Sequence, residues 1–230
     1  MRVDAEPAYV LHLRPYRDTS AIVDVLTQHH GCVSVVARGL RGGGKNRQSW
    51  RAALQVGNLL YLSWQGRGEL KTLTDAQAHS RFELRGSALY CTFYVNEIIE
   101  RLLHRHDPQP GIFQLYGRCL LALSTDANYE LALRRFEGGL LRELGYGIDY
   151  VDVDGGGLRD DANYQFLPRQ GFVLTDAPDG LHGGVLRRLA DNDYSGQGLL
   201  VAKRLHRRVL ADLLGDRPLN SRKLFAQFRR

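Results

Sequence analysis

Apolar positions in the first 80 residues fall in short runs of period two. Tyr9–Leu13, Ala21–Thr27, Cys32–Ala37, Leu59–Trp64 and Glu69–Thr74 are separated by turn formers: Pro15 and Asp18, Gly31, Gly42-Gly43-Gly44, and Gly66-Arg67-Gly68. This spacing predicts five short strands in a small barrel or sandwich. Five strands in so short a stretch fit an OB-fold, and the pattern alone leaves an SH3-like barrel open. After Gly86 the period lengthens to 3.6. Leu89, Phe93, Val95, Ile98, Ile99, Leu102 and Leu103 predict an amphipathic helix that stops before Pro108. A second helix is expected over Gly111–Ser124, and a third from about Asn128 to the glycines at 145 and 147. From Asp149 to Gly180 the periodicity lapses into an acidic, glycine-rich loop followed by a hairpin of Tyr164–Leu167 and Gly171–Leu174. Helical spacing returns from Val185, over Leu199–Leu214 and over Ser221–Phe228, with Asn220 as the expected N-cap of the last helix. The predicted class is α+β: an OB-fold barrel over residues 1–80, then a mostly helical domain over 81–230 carrying a loop-and-hairpin insert at 149–180.

Composition narrows the function classes. Hydrophobic residues make up 43% of the 230 and charged residues 24%, which suits a chain with a packed core rather than a disordered one. No apolar run reaches the ~20 residues a membrane span needs, and the first seven residues lack the apolar core of a signal peptide. The expected location is the cytoplasm, in association with the nucleoid. Cys32, Cys91 and Cys119 are widely spaced with no CxxC, which argues against a disulfide framework and a thiolate zinc site. The net charge of +6 matters because it is clustered. Arg38, Arg41, Lys45, Arg47 and Arg51 lie in a stretch from Gly31 to Ala53 without an acidic residue. Lys203, Arg204, Arg207 and Arg208, then Arg217, Arg222, Lys223, Arg229 and Arg230, form a second concentration near the C-terminus. Two such clusters point to a polyanionic partner, nucleic acid.

Motifs that would carry chemistry fail on inspection. Gly39 to Lys45 reads G-x-x-x-x-G-K, but Asn46 stands where a nucleotide-binding loop needs Ser or Thr for Mg²⁺. The stretch is read as a flexible basic loop between strands. His104 and His106 are two apart, a spacing that points their rings to different sides of a helix. Asp152-Val153-Asp154-Gly155 opens like a calcium loop but carries Asn163 at the twelfth position. A nuclease could recruit Asp152, Asp154, Asp160 and Asp161, yet all four belong to one loop. No nucleophile–base arrangement is recognisable, so a non-enzymatic binding protein is expected, with no cofactor and no metal. Bases stack on aromatic faces while cations follow phosphates. That chemistry nominates Arg14, Arg38, Arg41, Lys45, Arg47, Arg51 and Lys71 for DNA phosphates and Trp50, flanked by basic and polar residues, for stacking. Tyr61 and Trp64 lie on opposite strand faces by parity, so one of them belongs to the core.

Several runs of the chain resemble the RecO family of bacterial DNA repair proteins. They include Tyr9–Ser20, Val36-Ala37-Arg38-Gly39, Gly66–Leu73, Leu89-Tyr90 with Tyr94–Glu97, Leu133–Glu137 closing in Leu144–Gly147, Ala202-Lys203-Arg204, and Arg217–Arg222. The resemblance runs in the family's order over nearly the whole length. It implies an OB-fold, a helical C-terminal domain and no catalytic chemistry. It also implies binding of single- and double-stranded DNA, annealing of complementary strands, and work with RecR, often RecF, to load RecA onto DNA covered by single-strand-binding protein (SSB). The family's recognition of the acidic, phenylalanine-ended SSB tail implies an apolar pocket rimmed by cations, for which Arg134, Lys203 and Arg204 are the candidates. Many relatives carry four zinc-binding cysteines where this chain has Asp149–Gly180 and none. The hairpin is therefore expected to be held by Tyr164, Phe166, Phe172 and Leu174. Lys is common in relatives where Asn220 stands. The alternative reading is a general OB-fold nucleic-acid-binding protein of RNA metabolism.

Overall fold

Burial along the first strand shows how one long segment serves two neighbours. In the computed structural model, which describes residues 1–42, 47–125 and 128–221, β1 runs Arg2–Tyr16. Its C-terminal half pairs antiparallel with β2 (Ser20–Thr27) and its N-terminal half with β4 (Leu59–Gln65). β3 (Gly31–Ala37) continues the sheet beside β2 and meets β5 (Leu70–Ser80) in parallel, and β5 returns to β4. The order β1-β2-β3-β5-β4 thus closes on β1, and closure removes the exposed strand edges. The interior is filled by Ala8, Val10, Ala21, Val23, Val25, Val33, Val35, Leu60, Leu62, Trp64 and Leu73. These are the inward-parity residues, and Trp64 rather than the exposed Tyr61 is the core aromatic.

The basic loop read over Gly39–Lys45 is in turns up to residue 42, and residues 43–46 lie outside the described residues. A short helix, α1 (Arg47–Ala53), follows; its Trp50 and Ala53, with Leu54 just after it, join the barrel core. Seven residues cannot display an amphipathic period clearly, and the surrounding cations and glycines read as loop.

The chain divides into two compact units, 1–127 with 218–230, and 128–217. In the first, α2 (Ser87–Leu102) and α3 (Pro110–Thr125) accompany the barrel. Two features seat them. A bulge in β1 between Val10 and His12 frees the Leu11 carbonyl, which accepts from Asn96 Nδ2 of α2 at 2.8 Å; Asn96 Oδ1 in turn accepts from Tyr116 of α3 at 2.7 Å. Gly117 of α3 meets the Tyr9 hydroxyl where any Cβ would collide. Gly31 is required twice: φ is +65°, and its missing Cβ lets the Asp107 backbone lie against the start of β3.

The second unit comprises α4 (Tyr129–Glu143), a sheet ordered β7-β6-β8 from Asn163–Leu167 (β6), Gly171–Leu174 (β7) and Leu181–His182 (β8), then α5 (Gly183–Ala190) and α6 (Gly198–Leu214). The Asn128 side chain caps α4 by accepting from Leu131 N at 3.1 Å. Tyr164, Phe172, Leu181, Val185, Leu186 and Leu205 form its core, and Phe166 packs alongside. Leu174 does not help to hold the hairpin: it is 58% exposed.

The expected cap at Asn220 is also revised. The chain turns helical at Asn220–Ser221, and the carboxylate of Glu97 in α2 accepts from Asn220 N at 2.8 Å, Ser221 N at 2.8 Å and Ser221 Oγ at 2.6 Å. A carboxylate from another element thus performs the capping. The rest of the helix expected at Ser221–Phe228 lies outside the described residues.

Candidate nucleic-acid interface

One end of the barrel gathers cations from two segments distant in sequence. The β1–β2 turn carries Arg17, and the residues after β3 carry Arg38 and Arg41; Arg41 N donates to the Thr19 carbonyl at 2.8 Å, joining the two loops. Arg17, Arg38 and Arg41 are exposed, and none makes an ion pair with a carboxylate among the described residues. Arg51 follows on α1, its Nε donating to the Leu40 carbonyl at 2.9 Å, which orients an exposed guanidinium beside this end. The Arg17 guanidinium lies 5.2 Å from the centre of the half-buried Tyr16 ring.

The nominated residues divide accordingly. Arg38, Arg41 and Arg51 share this neighbourhood. Arg14 is half exposed on the outer barrel face, with Nε 3.7 Å from Asp24 Oδ2. Lys45 and the side chain of Arg47 lie outside the described residues. Two nominees are corrected. Trp50 is 7% exposed inside the barrel core and offers no ring face for a base. Lys71, 8% exposed and paired in register with Val35, is largely withheld from solvent. Tyr16 is one of the barrel aromatics that lie among basic residues in the sequence, but its contact with Arg17 and their place beside Arg41 are not legible there. What reveals that place is the approach of Arg41 to Thr19.

In the second unit the three nominated cations, Arg134, Lys203 and Arg204, are already engaged. Arg134 is 2% exposed, with Nη2 on Glu137 Oε1 at 2.5 Å and Nη1 3.5 Å from Glu130. Glu137 Oε2 lies 3.3 Å from His206 Nδ1 of α6, and Lys203 Nζ donates to Glu130 Oε1 at 2.6 Å. Desolvation raises Glu130, but the Lys203 hydrogen bond and the surrounding cations outweigh it and hold the carboxyl below its ordinary value. Arg134 therefore cannot serve as a clamp for an incoming carboxylate; its neighbour Arg135 is the exposed one. Arg204 sits elsewhere, donating to the Asp179 carbonyl and to Asp179 Oδ2, each at 2.9 Å. It lines an opening of about 540 Å³ with Arg207, Arg208, Phe166, Leu181 and Leu205.

Three of the four loop carboxylates are occupied in structural roles. Asp152 Oδ1 accepts from Asp154 N and Gly156 N, Asp161 pairs with Arg159, and Asp160 pairs with Arg187. The four loop carboxylates do not converge. Burial pushes the Cys32 thiol up to about 12, the reverse of what a nucleophile needs. Among the described residues, no helix is long and apolar enough to cross a membrane.

Comparison with known proteins completes the picture. Residues 1–82 match the model of the recombination protein O N-terminal domain, and residues 84–222 match that of its C-terminal domain. The chain is 40% identical over 233 residues to the DNA repair protein RecO of Haemophilus influenzae strain 86-028NP, covering 99% of this chain and 98% of that one. It is 40% identical over 230 residues to the RecO of Serratia proteamaculans and 41% over 229 to that of Methylococcus capsulatus, in both cases covering 97% of this chain and 93% of the relative. With both domain models matched in order on a five-stranded barrel and a helical C-terminal region, this chain belongs to the recombination protein O family of DNA repair proteins.

Proposed function

We propose that this protein is a non-enzymatic recombination mediator of DNA repair. It binds single- and double-stranded DNA, anneals complementary strands and, with RecR, helps RecA onto SSB-coated DNA. Family membership supports the repair role. The observation that carries the DNA-binding part is the barrel end itself, where Arg17, Arg38 and Arg41 stand exposed without carboxylate partners among the described residues. Unpaired guanidiniums can neutralise phosphates without first breaking an internal ion pair. Tyr16, under the Arg17 guanidinium, is the stacking ring, since Trp50 is buried in the barrel core.

The SSB tail belongs to the opening around Arg204, Arg207 and Arg208. Its lining sets apolar Phe166, Leu181 and Leu205 beside exposed Arg207 and Arg208, which make no ion pair among the described residues, and beside Arg204, whose exposed pair with Asp179 an incoming acidic segment can replace. An acidic tail ending in an aromatic ring and a carboxylate fits that combination.

The deciding experiment is ATP-independent annealing of SSB-coated complementary strands, with an Arg38→Ala/Arg41→Ala variant alongside. The variant should bind single-stranded DNA more weakly on every sequence. The slope of log affinity against log salt should flatten by about 1.4, at roughly 0.7 per lost phosphate contact. Wild type that does not anneal, or a slope unchanged in the variant, overturns the assignment. Equal affinity for matched RNA, with no annealing, would favour RNA metabolism.

A further inference from the structure

The outer face of the barrel carries a row of polar residues where apolar ones would pack. His12 of β1 is the direct cross-strand partner of Asp24 in β2, and Asp24 is the partner of Ser34 in β3. Their neighbours in sequence, Val23, Val25, Val33 and Val35, point into the barrel core, so alternation places the polar row outside. Above it lies α2. Its Asn96 is fixed to the Leu11 carbonyl, and one helical turn further on Glu100 faces the same way. One ligand atom each from His12, Asp24 and Glu100 lies within 4.8 Å of the others. The three border a cleft of about 330 Å³ whose rim includes Arg14 and Arg105.

From this arrangement we infer that His12, Asp24 and Glu100 form a binding site for a borderline divalent cation of the Zn²⁺ class. Three features argue for it. One imidazole and two carboxylates are a donor set such ions accept, with a fourth position left for water. Donors about 2.1 Å from a tetrahedral ion stand about 3.4 Å apart, so side-chain movement of at most about 1.4 Å closes the cluster. Finally, Asp24 is oriented from behind. Its Oδ1 accepts from Ser34 Oγ and lies 3.5 Å from Arg105 Nη2, and Arg105 Nη1 donates to the same Ser34. Such outer contacts position metal-binding carboxylates. They leave Oδ2, whose cationic neighbour among the described residues is Arg14 Nε at 3.7 Å.

Arg14 and Arg105 are the competing cations, and Arg101 lines the same cleft. Arg105 is held on Ser34 and on Asp24 Oδ1, away from Oδ2, and Arg14 competes poorly. A separation of 3.7 Å exceeds a hydrogen bond, and its side chain is 51% exposed, so it can swing into water at little cost. An ion at this position would tie β1 and β2 to α2, cross-linking the barrel to its first helix. The site uses no cysteine, so the cysteine count that argued against thiolate zinc does not bear on it. Nor does it depend on how the protein handles DNA.

Equilibrium dialysis of the full chain against Zn²⁺, and absorption spectroscopy with Co²⁺, test the inference. Wild type should take up one ion per chain, and bound Co²⁺ should show ligand-field bands without thiolate charge transfer. Thermal stability should rise with Zn²⁺ concentration, as it does for any ligand bound by the native state alone. Glu100→Gln and His12→Asn should each weaken binding at least tenfold while keeping the metal-free melting temperature near wild type. A His104→Asn/His106→Asn variant should bind as wild type does. Absence of stoichiometric uptake at micromolar Zn²⁺, or loss of uptake in the His104/His106 variant with retention in the cleft variants, refutes the site.

Discussion

Arg41 and Arg134 both sit in basic runs, yet they represent opposite uses of the same side chain. At the barrel end, Arg17, Arg38 and Arg41 face solvent without acidic partners among the described residues. On α4 and α6, Arg134 and Lys203 are bound into a network with Glu130, Glu137 and His206. The first group is available to a polyanion. The second is committed to holding two helices together, and its charge is cancelled before any partner arrives. A count of cations therefore says little about binding until their internal partners are known.

The sharpest way to test that contrast is to break the buried network. Glu137→Ala leaves the buried Arg134 guanidinium with the more distant Glu130 as its carboxylate partner among the described residues, and removing one partner of such a pair costs about 3–5 kcal/mol. Urea unfolding should report a loss of that order, while single-stranded DNA affinity of the folded variant stays near wild type. A variant of unchanged stability would show that Arg134 can leave the helix interface.

The barrel end should respond in the opposite sense. Tyr16→Ala should weaken single-stranded DNA binding by about 1–3 kcal/mol, the range for one stacked base, with little change in the melting temperature. Trp50→Leu should do the reverse, lowering stability through the cavity it leaves in the barrel core while the salt dependence of binding stays as in wild type. If the Trp50 variant lost affinity and kept its stability, the stacking assignment would return to Trp50.

Both residues show how far the primary structure could be read. Trp50 has basic and polar neighbours, which locally describe an exposed ring. Burial came from a seven-residue helix that turns this ring into the barrel. The third helix expected from about Asn128 is α4, with Leu133, Phe136 and Leu140 buried along it, but its period does not say which of two adjacent arginines is covered. Arg134 is buried because Glu137, one turn away, and His206 on α6 provide polar company within the core, and nothing near position 134 in sequence announces His206.

The smallest effect is expected where Glu97 holds residues 220 and 221. Desolvation pushes this carboxyl upward, but the Ser221 hydroxyl, the Ser221 and Asn220 amides and Arg101 outweigh it, so Glu97 is held below its ordinary value. A depressed carboxyl contributes stability that is full above the unfolded-state value and is lost as pH falls through the folded one. Amide exchange at Asn220 and Ser221, corrected for intrinsic rates, should therefore quicken as the solution is acidified below the ordinary carboxylate range. Glu97→Gln should show the faster exchange already at neutral pH. Exchange in wild type that ignores acidification would mean the cap contributes nothing.

Local pattern was enough to determine the α+β class, the five barrel strands, the hairpin at 164–174 and most helix positions, because strand and helix periods are written in residues two to four apart. The charge clusters were equally plain. Which cations remain free, which aromatic ring is covered, and that His12, Asp24 and Glu100 meet were decided only by tertiary structure. Those properties depend on strand register, on a bulge that offers the Leu11 carbonyl to Asn96, and on pairings such as His206 with Glu137, 69 positions apart. Burial and ion pairing are properties of what packs against a residue, and in a closed barrel or a helix pair those neighbours come from distant parts of the chain.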